Sequence, residues 1–136
     1  MGTVIAASVF VLVAALVHVL IFLMESVLWS RPGVFRRFGV ADATEAATLR
    51  VAMFNQGFYN LFLALGAGTG LVLLGIVGWQ RAGLAIAAFA LLSMVLAALV
   101  LIATRRSLWR AALIQGGPAL VGLVLLVAAL GQPAGA

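Results

Sequence analysis

Four stretches of this chain are long enough to cross a bilayer and carry almost no charge. They run over residues 4–29, 51–77, 83–104 and 111–130. A spanning helix needs roughly 20 mostly apolar residues, and each stretch supplies them. Backbone amides cannot stay unpaired in lipid, so such runs must close their own hydrogen bonds as helices. The predicted fold class is therefore all-α: an integral membrane four-helix bundle forming one transmembrane domain over residues 1–136. Composition agrees. With 66% of residues apolar and 8% charged, the chain lacks the polar surface to cover a core in water, so its solvent is lipid. Cysteine is absent, which excludes a disulfide framework, a thiolate nucleophile and a cysteine metal site. The first run lacks the short hydrophobic core and basic leader of a cleaved signal, so it is read as a span.

The segment 30–50 is read as a loop leading into the start of the second helix outside the membrane. Asp42 and Glu45 stand three apart, as in a capping box, just ahead of Ala46. The tail Gly131–Ala136 has turn composition. Orientation comes from arginine. Arg31, Arg36, Arg37 and Arg50 flank the first loop, Arg105, Arg106 and Arg110 the third, and Arg81 stands alone in the second. The positive-inside rule puts the arginine-rich loops in the cytoplasm and both termini outside, N-out/C-out. Trp29, Trp79 and Trp109 each fall at the end of a run, where an indole keeps its N–H wet. The net charge of +5 sits at span ends and forms no separate basic face, so nucleic acid is not an expected partner. Every cation is arginine, the usage of a GC-rich bacterial genome. The expected location is the bacterial inner (plasma) membrane, with multiple passes.

Polar groups inside hydrocarbon are costly, and their positions carry the functional reading. Span one holds His18 and Glu25, nearly on one helical face. Span two holds Asn55, Gln56, Tyr59 and Asn60, and span four holds Gln115 followed by Gly116, Gly117 and Pro118. At 1.5 Å per residue, Asn55, Gln56 and Gln115 lie about 6–8 Å inside the cytoplasmic boundary, and Tyr59 and Asn60 about 12–14 Å. His18 lies on the order of 10 Å deeper than Glu25, which is close to the boundary. Span three has only Ser93 well inside and reads as a packing helix. The expectation is a shared pocket open toward the cytoplasm, with an apolar plug beyond it. Asn55 to Asn60 spread over about 140° of the helix. Gly66 and Gly70 share that sector and form a GxxxG seam for close packing. Pro118 leaves the Ile114 carbonyl without its usual partner, a break that suits a pocket wall.

Each of these residues has a plainer reading. Glu25 is either an interfacial carboxylate paired with Arg50 or Arg110, or a general acid or base. His18 is either hydrogen-bonded to a facing helix or part of a proton relay with Glu25. The amides are either interhelical glue or ligand contacts. No metal site is assigned, because His18 and Glu25 give at most two strong ligands where zinc takes three or more. The cofactor is unknown; a single axial histidine alone does not argue for haem.

The set His18, Glu25 and Trp29, then Asn55-Gln56-Gly57-Phe58-Tyr59-Asn60, then Gln115-Gly116-Gly117-Pro118-Ala119 resembles the small four-helix membrane proteins of the domain of unknown function 1304 family. The resemblance covers essentially the whole chain. It implies the same four-span layout and brings no activity with it.

The leading expectation is a membrane-embedded pocket that binds a small lipophilic molecule and converts it by proton transfer, in the manner of an isomerase. Catalytic roles fall to His18, Glu25 and Tyr59, and ligand-binding roles to Asn55, Gln56, Asn60 and Gln115. One alternative is a small proton-coupled multidrug-type transporter working as a homo-oligomer. The other is a structural or regulatory membrane subunit. The expected partners are the lipid bilayer and the small lipophilic molecule.

Overall fold

The computed structural model describes residues 2–130; the tail reading above lies outside them. Helix α1 (Gly2–Phe22) passes into a π-helical turn over Leu23–Val27, closed by the Leu28 N–H donating to the Leu23 carbonyl at 2.8 Å. The chain then leaves the helix axis. A short helix α2 (Pro32–Phe35), opened by Pro32 in its first turn, continues as a 3-10 turn over Arg36–Phe38 and ends at Gly39, whose φ of 77° is left-handed. Helix α3 (Ala43–Leu74) follows, then α4 (Gln80–Thr104), a 3-10 turn over Arg106–Leu108, and α5 (Trp109–Leu130). No strand occurs among the described residues, and four helices are long and apolar enough to cross a membrane.

Capping sets where α3 begins. Asp42 is extended, and its Oδ1 accepts from the Thr44 and Glu45 N–H groups at 2.8 and 2.9 Å. Glu45 Oε2 reaches back to the Ala41 N–H at 2.9 Å. These bonds satisfy amides that the first turn leaves without helical partners. Helix α3 thus starts about two turns before its apolar run. At its other end the chain reverses through Gly75–Trp79, where Gly78 takes φ 86°.

The four long helices form a ring. Helix α1 packs on α3, α3 on α4, α4 on α5, and α5 closes back on α1; the diagonals scarcely touch. The core is made mostly of small residues: Ala7, Ala14 and Ala15 of α1, Ala64 and Ala67 of α3, Ala87 and Ala90 of α4, and Ala119 of α5, with Val11, Leu91, Met94 and Leu126 as its larger members. Large apolar side chains such as Val51, Val77 and Phe89 point outward. Lipid is as apolar as leucine, so burying large side chains brings little advantage, and close backbone approach holds the helices instead. At Gly70 a Cβ would lie 2.5 Å from the Ala87 N, and at Gly83 2.6 Å from the Leu74 N. At Gly66 it would meet the Ala90 Cβ at an ordinary 3.6 Å, so Gly70 is the tight member of the GxxxG pair and α4 is its partner. Helix α4 is the packing helix: its Ser93 hydroxyl donates back to the Phe89 carbonyl at 2.8 Å.

A second, smaller core lies at the arginine-rich end. Trp29, Phe35, Val40 and Ala46 are buried there, with Phe38, Leu49 and Met53 against them. The segment between α1 and α3 is therefore a folded cap and not an open loop. Arg105, from the loop before α5, donates to the Phe38 carbonyl at 3.0 Å and ties the cap to the far side of the ring.

Candidate functional site

The sharpest polar feature sits where the π turn of α1 meets α3. Ser26 lies so close to Gly57 that a Cβ there would collide with the serine Oγ and come within 3.1 Å of its N. Only glycine leaves that space. With the turn seated, the Ser26 hydroxyl donates to the Phe54 carbonyl at 2.9 Å. One turn further along α3, Asn60 Nδ2 donates to Glu25 Oε2 at 2.8 Å and lies 3.2 Å from the Gln56 carbonyl. Glu25 is 5% exposed and Asn60 8%. The carboxylate expected to pair with Arg50 or Arg110 has an amide for a partner instead, and no cation among the described residues. A buried charge without a countercharge is costly.

His18 lies deeper on the same helix and is 1% exposed. Its Nδ1 is 2.9 Å from the Ala14 carbonyl. A carbonyl only accepts, so Nδ1 carries the proton and, in the neutral ring, Nε2 keeps the lone pair. Phe22 and Phe58 meet edge to face at 5.2 Å across the α1–α3 seam, and both are half-buried. They form an aromatic pair beside Glu25 and Asn60 in the sequence of their helices.

The remaining candidates stand apart. Tyr59 is 63% exposed, and Asn55 and Gln56 are exposed as well. Gln115 is half-buried on α5. None of the four side chains makes a hydrogen bond among the described residues. The expected gathering of helices one, two and four thus reduces to α1 and α3, through Glu25 and Asn60. The reason is angular. Asn55 and Asn60 lie about 140° apart around α3, wider than one inward face, so Asn60 turns into the ring while Asn55 and Tyr59 turn out of it. Helix α5 runs unbroken through Pro118. Beside it, Gly116 and Gly117 line a cleft of about 110 Å³ shared with Val95, Ala98 and Leu99 of α4, away from Glu25.

Trp29 corrects a second expectation. It is 3% exposed, and its indole N–H donates to the Ala46 carbonyl at 2.8 Å, so it is a core residue of the cap; Trp79 and Trp109 are half-exposed at their helix starts. Burial of the indole requires that N–H to find a protein acceptor, and α3 supplies it by extending beyond the apolar run. A cavity of about 190 Å³ opens between cap and helix, lined by Trp29, Ser30, Phe35, Ala43, Ala46, Ala47 and Arg50. Sequence reasoning passed over Ser26, Phe35 and the role of Gly57. The available signal was aromatic residues in a supposedly solvated loop and a glycine inside a polar run. Among the described residues no three His, Cys, Asp or Glu side chains come together as metal ligands.

No curated protein and no solved structure matches the chain. One family model, that of a protein of unknown function (domain of unknown function 1304), matches residues 12–127. The match runs from within α1 to within α5 and takes in His18, Glu25, Ser26, Gly57 and Asn60, and with that coverage the chain belongs to the domain of unknown function 1304 family.

Proposed function

We propose that this chain binds a small lipophilic molecule inside the membrane and exchanges a proton with it at Glu25. The bilayer is its solvent, and the arginine-rich end faces the cytoplasm of a bacterial cell, as the positive-inside rule argues. The observation that carries the reading is the Glu25–Asn60 bond: a carboxyl buried between membrane helices, held by an amide and left without a cation. An amide that fixes one carboxyl oxygen leaves the other to act, which is the arrangement a general acid or base needs. The ligand enters from the inner leaflet along the α1–α3 seam, where the Phe22–Phe58 pair is the movable barrier. His18 is the second proton carrier, through Nε2. In an isomerisation Glu25 would take a proton from one carbon of the ligand, and the acid form would return it to another, leaving the enzyme unchanged. The test is mass spectrometry of small molecules that co-purify with the wild type and with Glu25→Gln, which keeps the size and an acceptor for Asn60. A lipophilic species held by the wild type and lost in the variant, at equal helicity, is the expected result. Identical small-molecule content in both would overturn it.

A second reading rests on the outward set. Asn55, Gln56 and Tyr59 expose unpartnered polar atoms on a membrane helix. A carboxamide both donates and accepts, so the same face of a second copy satisfies it across a two-fold axis. An assembly of copies with Glu25 as the protonated group is the form a small proton-coupled multidrug-type transporter takes. Proton-driven uptake in proteoliposomes, lost in Glu25→Gln, would move that reading to first place. Recovery of the chain with a different membrane protein would favour a subunit role.

A further inference from the structure

The cavity under the cap is separate from the Glu25 seam. Its floor is one stripe of α3: Ala43, Ala46, Ala47 and Arg50 recur at the i, i+3, i+4, i+7 spacing of a single helix face. The three alanines create the volume, since any larger side chain on that stripe would fill it. Trp29 and Phe35 form the walls, and Ser30 adds a hydroxyl. The Trp29 N–H is already engaged with the Ala46 carbonyl, so the indole presents its ring to the cavity as an apolar surface. Arg50 rises from the end nearest the apolar run, and because a helical side chain leans toward the helix N-terminus it turns back over the cavity; it is exposed and has neither an ion pair nor a hydrogen bond among the described residues. The nearby carboxylates do not compensate it: Asp42 and Glu45 are bonded to backbone N–H groups of the α3 start and of Ala41.

Size decides what fits. At about 190 Å³ the cavity is smaller than the roughly 300–1,000 Å³ that encloses a drug-sized molecule. It takes one end of a molecule whose remainder lies elsewhere. A guanidinium with five free donors selects a phosphate or carboxylate, which it grips in bidentate fashion. Aromatic and alanine walls suit the glycerol or first methylenes behind such a group. The stripe leads from the cap toward the apolar run of α3, so the tail of an amphiphile would continue into the bilayer.

We infer that this cavity binds the headgroup of an anionic membrane lipid, one whose phosphate has no cation of its own, with that phosphate held by Arg50 and its glycerol stem against Trp29 and Phe35. The inference does not depend on the Glu25 reading, and Glu25→Gln should leave it unchanged.

The test uses the full chain with Trp79→Phe and Trp109→Phe, both at exposed positions, so that Trp29 alone fluoresces. It is placed in nanodiscs of phosphatidylcholine doped with phosphatidylglycerol brominated near the headgroup end of its chains, and in a parallel series the bromine is on phosphatidylcholine. Trp29 quenching should report about a fivefold preference for the anionic lipid, the ratio that about 1 kcal/mol per arginine at an anionic surface represents. Arg50→Gln should remove most of the preference and Arg50→Lys restore part of it. Ala47→Phe and Ala43→Phe fill the cavity from exposed positions without changing charge, and each should abolish it. Equal quenching by both lipids would overturn the inference, and a preference that survives filling would overturn it in favour of general attraction between basic loops and anionic lipid. Loss of the preference on adding inorganic phosphate, with a shift in Trp29 emission in pure phosphatidylcholine, would assign the cavity to free phosphate and equally refute the lipid assignment. If the filled variants fail to unfold cooperatively, the Arg50 series decides alone.

Discussion

The two halves of this bundle are held together by different means. In the half away from the arginine-rich end, α3 and α4 meet through Gly70, Gly83 and Ala87, with backbone almost on backbone. In the arginine-rich half, the π turn of α1 is seated on Gly57, and the one hydrogen bond between two side chains among the described residues joins Asn60 to Glu25. Above it, aromatic side chains of the cap cover the start of α3. The first half has only shape to preserve. The second carries a buried carboxyl, a cavity and a helix irregularity of the kind that often marks functional positions. Polar side chains buried between membrane helices persist where a neighbouring helix satisfies them, as Asn60 of α3 does for Glu25 at one end of the bundle.

Substitutions should separate the halves by size of effect. The largest belongs to the packed end: Gly70→Leu or Gly83→Leu should destabilise by about 3 kcal/mol or more, because backbone and not a flexible side-chain tip stands in the way. Gly68→Leu, with nothing within 4 Å, should cost close to nothing, and thermal unfolding in detergent compares the three. If Gly70→Leu is tolerated, shape is not what holds that half. Next comes Gly57→Ala, with an expected cost of about 1–3 kcal/mol and, unlike the glycines at the far end, a loss of ligand retention, since it unseats Ser26 and Glu25 together. A purely structural Gly57 would lower stability and leave retention per folded molecule intact.

A double-mutant cycle of Asn60→Ala with Glu25→Ala, each of which removes the bond, gives a smaller number with more information. A coupling of about 0.6 kcal/mol is ordinary for neutral side-chain bonds in membranes, whereas about 1.5–3 kcal/mol is the range for a bond to a charged group. The measured value therefore reports which form of Glu25 the amide holds, and zero would dismiss the pair as a functional unit. Smallest of all, Tyr59→Phe should change monomer stability by less than about 0.5 kcal/mol, as an exposed hydroxyl without a partner predicts. A larger loss that depends on protein concentration would support the assembly of copies.

Much of the architecture is legible in the sequence. The four runs announce four helices because length and apolarity are properties of each segment alone. Asp42 with Glu45 announced the start of α3, since a cap is settled by side chains within one turn of it. The candidate site was legible only in part. That Glu25 and Asn60 are polar at membrane depth is plain from position, but their bond needs α1 and α3 brought face to face at Gly57. Asn55, Gln56 and Tyr59 looked equivalent to Asn60 because helical periodicity fixes angles between residues and is silent on which sector faces the bundle. Trp29 looked like an interfacial anchor because nothing local says that Phe35, Val40 and Ala46 will enclose it.

Solvent, helix number and the side on which arginine collects are sums over residues, and sums survive without knowledge of neighbours. Which amide meets the carboxyl, which aromatic ring becomes core and where the alanine stripe leaves an opening depend on the rotation of one helix against another. In lipid that rotation is governed by small residues fitting backbone to backbone, a contact between distant segments that neither segment encodes by itself.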